Sequence, residues 1–390
     1  MTKHRFSSMC LIISLTGFVS ACSGQSGTTD DDSNAGKTGS ELDQQSIADI
    51  QALTDDAVAA GIPGVSVAIV RGQQKLAFAR GVADQGTGEL VSTAHRFRMA
   101  SMAKSLVAAV VLQLVDEGKL QLSDTLGQRL PGIFPEHEQV PLELLLRQES
   151  GLFDFTADDR YSTTLFAGDL EHAWTPSELL TMAAEHPPTF APGERFEYSN
   201  TNYAALAVIV EHVTGRSLDE VVRARIFEPL GMTSSSMVTT PDMATPFAHG
   251  YMLGLEQPLD ATRFNGSAVF GCGNIVSTPV DMAQFYGAVA AGKVVSKRLL
   301  STMLSKDPNV AETDYAMGLF RWEKGNKFFG CDDFIGHPGG IPGYDSLGYS
   351  SVDGKRQFAI AVNSFTFDDK AGDPTAQAAF AALVDAIACK

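Results

Sequence analysis

The stretch Phe97-Arg98-Met99-Ala100-Ser101-Met102-Ala103-Lys104 decides how this chain is read. It holds the only Ser-x-x-Lys in the sequence. The residues that follow, Ser105 to Val115, are apolar on nearly every face, so the pattern predicts a buried helix from Ser101 to Gly118. Gly118 is a natural stop for it. Ser101 then falls in the first turn, where unpaired N–H groups and the positive end of the dipole favour a developing anion. Lys104 falls one turn on, beside the Ser101 hydroxyl. A serine hydroxyl is a weak nucleophile until a neighbouring base takes its proton, and a desolvated lysine amine is such a base. The ordinary alternative is a capping serine and a solvated lysine. The rest of the chain decides between them.

Upstream, Lys3 and Arg5 precede a short, mostly apolar segment from Cys10 to Ala21. This reads as a secretory signal covering residues 1–21, too short to span a membrane comfortably. Its end, Val19-Ser20-Ala21-Cys22, resembles a bacterial lipobox, which implies lipidation of Cys22. An ordinary signal with an incidental cysteine is the alternative. Residues 22–45 are rich in Ser, Gly, Thr, Asp and Asn and read as a flexible tether. The expectation is an exported domain anchored by lipid in the cell envelope, facing the periplasm or on the outer membrane. Removing the signal takes the net charge from −17 to −19, which argues against a nucleic-acid partner. No phosphate loop, metal-spaced His/Cys cluster or tandem repeat is visible.

Residues 46–390 have an ordinary apolar content and predict one domain of two lobes. A first helix is expected over about 46–60. A hairpin follows, from Val65 to Val70 and from Lys75 to Val82, around Arg71-Gly72-Gln73-Gln74. Residues 119–264 read as an inserted, mostly helical lobe. Within it, Tyr198 and Asn200 are two apart in Tyr198-Ser199-Asn200, just before a helix, and can present both polar tips to one cleft. The alternative is a packed aromatic and a cap. Strands are expected over Tyr315–Trp322, Asp333–His337, Gly343–Ser350 and Gln357–Asn363, with a closing helix over Pro374–Ala388. Between strands lies Gly336-His337-Pro338-Gly339-Gly340, whose glycines let a backbone approach a ligand closely.

Ser101-Met102-Ala103-Lys104, Tyr198-Ser199-Asn200 and His337-Pro338-Gly339, in that order, resemble the serine penicillin-recognising enzymes. These are the class C β-lactamases, the D-alanyl-D-alanine carboxypeptidases and related esterases. The similarity runs from about residue 50 to 390 and is nearest to the secreted actinomycete carboxypeptidases. It implies an α+β, β-lactamase/transpeptidase-like fold: an antiparallel sheet flanked by helices, with the helical lobe inserted. It implies that Ser101 is acylated and that Lys104 and Tyr198 share the base and acid work. Asn200 would hold the substrate amide, and His337 and Gly339 would lie against the substrate. The N–H groups of Ser101 and Gly340 would form the oxyanion hole. No cofactor or metal is implied.

Cys272, Cys331 and Cys389 allow three pairings in an exported chain. The resemblance selects Cys331–Cys389 and leaves Cys272 as a buried thiol.

The departures concern the substrate. Pro338 and Gly340 stand where relatives carry hydroxyls that bind a free carboxylate, and Phe320 stands where an arginine is expected, with Arg321 one step later. The leading reading is a carboxypeptidase-like hydrolase of cell-wall peptides. The alternatives are an esterase or peptidase indifferent to a carboxylate, and a non-catalytic penicillin-binding surface lipoprotein. The expected substrate is a small peptide, amide or ester. The expected chain is a monomer that meets the membrane only through its anchor.

Overall fold

The computed structural model describes residues 41–254, 257–310, 313–326, 328–366 and 374–390. The signal, Cys10 and Cys22 lie outside the described residues. The tether expected to reach residue 45 ends earlier. Leu42 is buried, and Asp43 caps helix α1 (Gln44–Ala59) by accepting a bond from the Ser46 amide.

Seven antiparallel strands form the main sheet: β1 (Gly64–Arg71), β2 (Gln74–Asp84), β3 (Glu89–Leu90), β4 (Phe320–Trp322), β5 (Phe334–Ile341), β6 (Tyr344–Ser351) and β7 (Arg356–Val362). Their spatial order is β3-β2-β1-β7-β6-β5-β4. Period-two alternation sorts the side chains. Val65, Val67 and Ile69 of β1 join Phe358, Ile360 and Val362 of β7 on one face, where α1 and the closing helix α7 (Pro374–Cys389) pack. The other face offers small residues, among them Ala68, Ala359 and Ala361. Helix α5 (Pro279–Ala290) lies close against it, with Tyr286 over Gly348. Helix α2 (Ala103–Asp116) belongs to that second core and is buried from Ala103 to Leu112. Ser101 itself sits in a 3₁₀ turn, Ala100–Met102, continuous with α2, where a single helix from Ser101 is the sequence expectation.

Residues 119–264 contain short helices, among them α3 (Asp159–Phe166), and the long buried helix α4 (Asn200–Thr214). Asn200 opens α4 rather than preceding it, with Ser199 at the cap position. Cys331 and Cys389 are bonded, joining the end of α7 to the segment before β5, and Cys272 is a buried free thiol.

Two expectations about strands need correction. The glycine-rich stretch at His337 is not a turn, because all of Phe334–Ile341 is strand β5. Its outer edge pairs with β4 only at Phe334, Ile335 and Gly336. Among the described residues, that edge is free of strand pairing from His337 onward, so Pro338 forfeits no ladder bond there. Gly339 lets the edge approach the turn that carries Ser101, since a Cβ on it would collide with the Met99 carbonyl. The strand expected from Tyr315 is only Phe320–Trp322. Gly318, at φ +77°, breaks it, and packs so closely on α2 that a Cβ would strike Ala108.

Candidate active site

The backbone presents Ser101 under constraint. Ala100, immediately before it, takes φ +47° while almost wholly buried. A left-handed alanine costs about 1 kcal/mol or more and persists only where packing over-determines it. The half-buried Ser101 then faces the groove between α2 and the free edge of β5.

Lys104, one turn on, is fully buried. Its Nζ lies 3.0 Å from Ser101 Oγ, 2.8 Å from Asn200 Oδ1 and 2.8 Å from the Cys272 carbonyl. It also sits 4.7 Å from the centre of the Tyr198 ring. Burial pushes the ammonium pKa down to about 8, against opposing pulls from Cys272 and Asp154. A useful fraction of the amine is therefore neutral near neutrality.

Tyr198 is nearly buried, and burial holds its phenol well above the ordinary tyrosine range. The nearby Ser101 hydroxyl acts in the opposite sense. The phenol is thus protonated at rest, beside the nucleophile. Gln148 secures this loop: its Oε1 accepts from the Ser199 amide at 3.0 Å, and its carbonyl accepts from the Glu197 amide at 2.9 Å.

At the far wall, His337 is set back from the pocket and Gly340 lines it. His337 is fully buried, in an aromatic box with Tyr198, Tyr315 and Phe320. Its Nδ1 donates to the Pro338 carbonyl, which leaves Nε2 to accept from Tyr315 Oη at 3.4 Å. Burial, followed by the Lys104 charge, pushes the imidazole pKa down to about 3, so the ring is neutral. Gly340, Ile341 and Pro342 reach the pocket itself, which Ser101, Thr156, Tyr161, Leu165, Asn200, Phe264, Val269 and Gly273 also line. Most of this lining is apolar.

Arg321 has a definite partner. Register places it opposite Ile335, hence on the same sheet face as His337, while Phe320 and Trp322 stack on the other face. Its Nη1 donates to the Leu304 carbonyl at 3.2 Å, at the C-terminal end of helix α6 (Lys297–Leu304).

Three contributors escaped the sequence reading. Asp154 is buried, and its carboxylate accepts from Asn200 Nδ2 at 3.0 Å. The Cys272 carbonyl holds Lys104. Tyr315 backs His337.

With this geometry in place, comparison with known proteins identifies the fold. The Beta-lactamase family model matches residues 50–382. A D-aminopeptidase of Brucella anthropi is 29% identical over 318 residues, covering 80% of this chain and 57% of that protein. Penicillin-binding protein 4 of Amycolatopsis lactamdurans is 30% identical over 234 residues, covering 57% and 58%. The chain thus spans less than two thirds of these relatives' own length. Among solved structures, the D-amino acid amidase from Ochrobactrum anthropi SV3, in complex with L-phenylalanine, superposes with a TM-score of 0.75 at 27% identity, covering 88% of this chain and 98% of that one. An octameric penicillin-binding protein homologue from Pyrococcus abyssi gives a TM-score of 0.71 at 25% identity, covering 86% and 77%. An octamer among these neighbours gives the expectation of a monomer no support. The fold and these similarities agree that the chain belongs to the Beta-lactamase family.

Proposed function

We propose that the chain hydrolyses small amides or short peptides of D-amino acids through an acyl-enzyme on Ser101, without needing a free carboxylate on the substrate. The observation that carries this reading is the buried Lys104 amine, 3.0 Å from Ser101 Oγ. Neutral Lys104 takes the hydroxyl proton as Oγ attacks the substrate carbonyl. The oxyanion that forms is received by the N–H groups of Ser101 and Gly340, both at the pocket wall. Collapse breaks the C–N bond, and the leaving amine takes a proton relayed through Tyr198 and Lys104. Water then attacks the ester, its proton passes to the same pair, and Ser101 leaves as the alcohol.

The similarity to a D-aminopeptidase and a D-amino acid amidase supports an amide of a D-amino acid. Indifference to a carboxylate is supported by Pro338 and Gly340, which bring no hydroxyl, and by Arg321, whose guanidinium serves Leu304. Charge-assisted bonds are worth about 1.5–3 kcal/mol each, so a site without two of them discriminates poorly for a carboxylate. The carboxypeptidase reading stays as a second one, favoured by the similarity to penicillin-binding protein 4. Export and lipidation at Cys22 remain part of the proposal, motivated by the apolar segment that ends in Val19-Ser20-Ala21-Cys22. Metabolic labelling with a fatty-acid analogue should mark the wild type and spare Cys22→Ser.

The test compares kcat/KM for a D-amino acid amide, a D-Ala-D-Ala peptide, nitrocefin and p-nitrophenyl acetate, with Ser101→Ala as control. The proposal expects amide turnover, ester turnover, weak nitrocefin hydrolysis and little effect of Arg321→Ala. Strong peptide turnover abolished by Arg321→Ala would establish the carboxypeptidase instead. Ester turnover without amide or peptide cleavage would establish an esterase.

A further inference from the structure

We propose that Asp154 is a positioning residue for this reaction: its carboxylate locks the Asn200 amide in the one orientation that turns the Lys104 lone pair toward Ser101. The inference rests on Ser101 and Lys104 acting as proposed above.

A side-chain amide has nearly the same shape either way round, and its neighbours decide which end is oxygen. Burial raises the Asp154 pKa, and the bonds from Thr156 and Asn200 and the Lys104 charge oppose it; as the carboxylate it only accepts, so with Oδ2 3.0 Å away it faces the Asn200 amino group. The amide oxygen is then left to face Lys104 Nζ at 2.8 Å. The Cys272 carbonyl, also at 2.8 Å, is a second group that can only accept. A neutral amine has two hydrogens and one lone pair. The two acceptors take both hydrogens, and the remaining tetrahedral position faces Ser101 Oγ at 3.0 Å. That position holds the lone pair when the amine must take a proton. It holds a hydrogen, aimed at the same oxygen, when the ammonium must return one. A reversed Asn200 would offer Lys104 a donor, and the lone pair would be drawn to it instead of to Ser101.

Asp154 is built to hold this place. The residues on both sides of it are stitched to α4: Thr201 Oγ1 donates to the Phe153 carbonyl at 2.7 Å and accepts from the Phe155 amide at 3.0 Å. Its second oxygen accepts from the Thr156 amide at 3.1 Å. The other titratable groups in the field of this pair are Tyr161, Tyr198, Tyr203, Cys272 and His337. Burial keeps all five neutral. Asp154 is therefore the charge that bears on Lys104, and it favours the ammonium form.

The experiment measures the rate of Ser101 phosphonylation by a fluorophosphonate probe from mildly acidic to alkaline pH. It uses full-length wild type, Asp154→Asn, Asp154→Glu, Asn200→Ala and the Asp154→Asn/Asn200→Ala double variant. Asp154→Asn is expected to lower the plateau about 10–100-fold and to move the midpoint to lower pH, because the ammonium loses its counter-charge. In the Asn200→Ala background it should have little further effect on the plateau, while the midpoint still moves. Asp154→Glu keeps the charge and misplaces it, so its plateau should fall while its midpoint stays. It carries the test alone should Asp154→Asn not fold. An unchanged plateau and midpoint would overturn the proposal, as would equal slowing with and without Asn200, the mark of a merely structural role. Absence of Ser101-dependent labelling in the wild type would remove the hydrolase mechanism itself, a different failure.

Discussion

Tyr198 and Lys104 share one wall of the nucleophile: the amine donates to Ser101 Oγ at 3.0 Å and lies 4.7 Å from the phenol ring centre. An ammonium over an aromatic face is held in place electrostatically. The two groups thus reach one hydroxyl from different directions, and each can move a proton to or from it. Tyr198→Phe keeps the ring and removes the proton. It should lower kcat roughly 10²-fold or more with little change in Tm. Wild-type kcat in this variant would remove Tyr198 from the proton path.

A pH-dependent weakness lies under the loop that carries Tyr198. Glu149 is fully buried, and neither carboxylate oxygen has a hydrogen-bond partner. Burial, with a further push from Asp307, raises its pKa from 4.5 to about 7. The folded state then holds a proton that the unfolded state releases, so stability falls as pH rises from about 4.5 to about 7. Glu149→Gln, which has no charge to bury, should lose this dependence and gain roughly 1–3 kcal/mol on the wild type at alkaline pH relative to acid. Denaturant melts across pH measure it. Parallel stability curves for the two proteins would contradict the account.

The disulfide should matter for stability and not for chemistry. Cys331 and Cys389 are 58 residues apart and lie with the core of the sheet face that α1 and α7 cover, opposite the face toward Ser101. Closing a loop of that length stabilises by about 2–4 kcal/mol. Cys331→Ser should lower Tm by several degrees and leave kcat/KM within about twofold below the transition. A large loss of activity at full folding would show that the two faces are coupled.

Much of this architecture was legible in the residues. Ser101 and Lys104 stand at a fixed spacing ahead of a run of apolar residues, and a buried helix is the only element that satisfies that run. The alternation in β1 and β7 fixes their faces for the same reason. His337-Pro338-Gly339-Gly340 misled because glycine and proline favour turns locally. Here tertiary contact overrides that preference: the strand edge is unpaired at Pro338, and Gly339 must admit the Met99 carbonyl. Asp154 could not be found from spacing, because it meets Asn200 across 46 residues of chain. The face of Arg321 was likewise a matter of register, which the short β4 sets through three pairs with β5.

The central claim, that neutral Lys104 activates Ser101, is tested most directly by the pH dependence of Ser101 phosphonylation in wild type and Lys104→Ala. Lys104 has its pKa lowered to about 8, so the wild-type rate should rise with pH through a midpoint near that value. Lys104→Ala should lose the rise and react at least 10²-fold more slowly, with Ser101 still the residue modified by mass spectrometry. A wild-type rate with no midpoint near that pH, or a Lys104→Ala variant that labels as fast as the wild type, would contradict it.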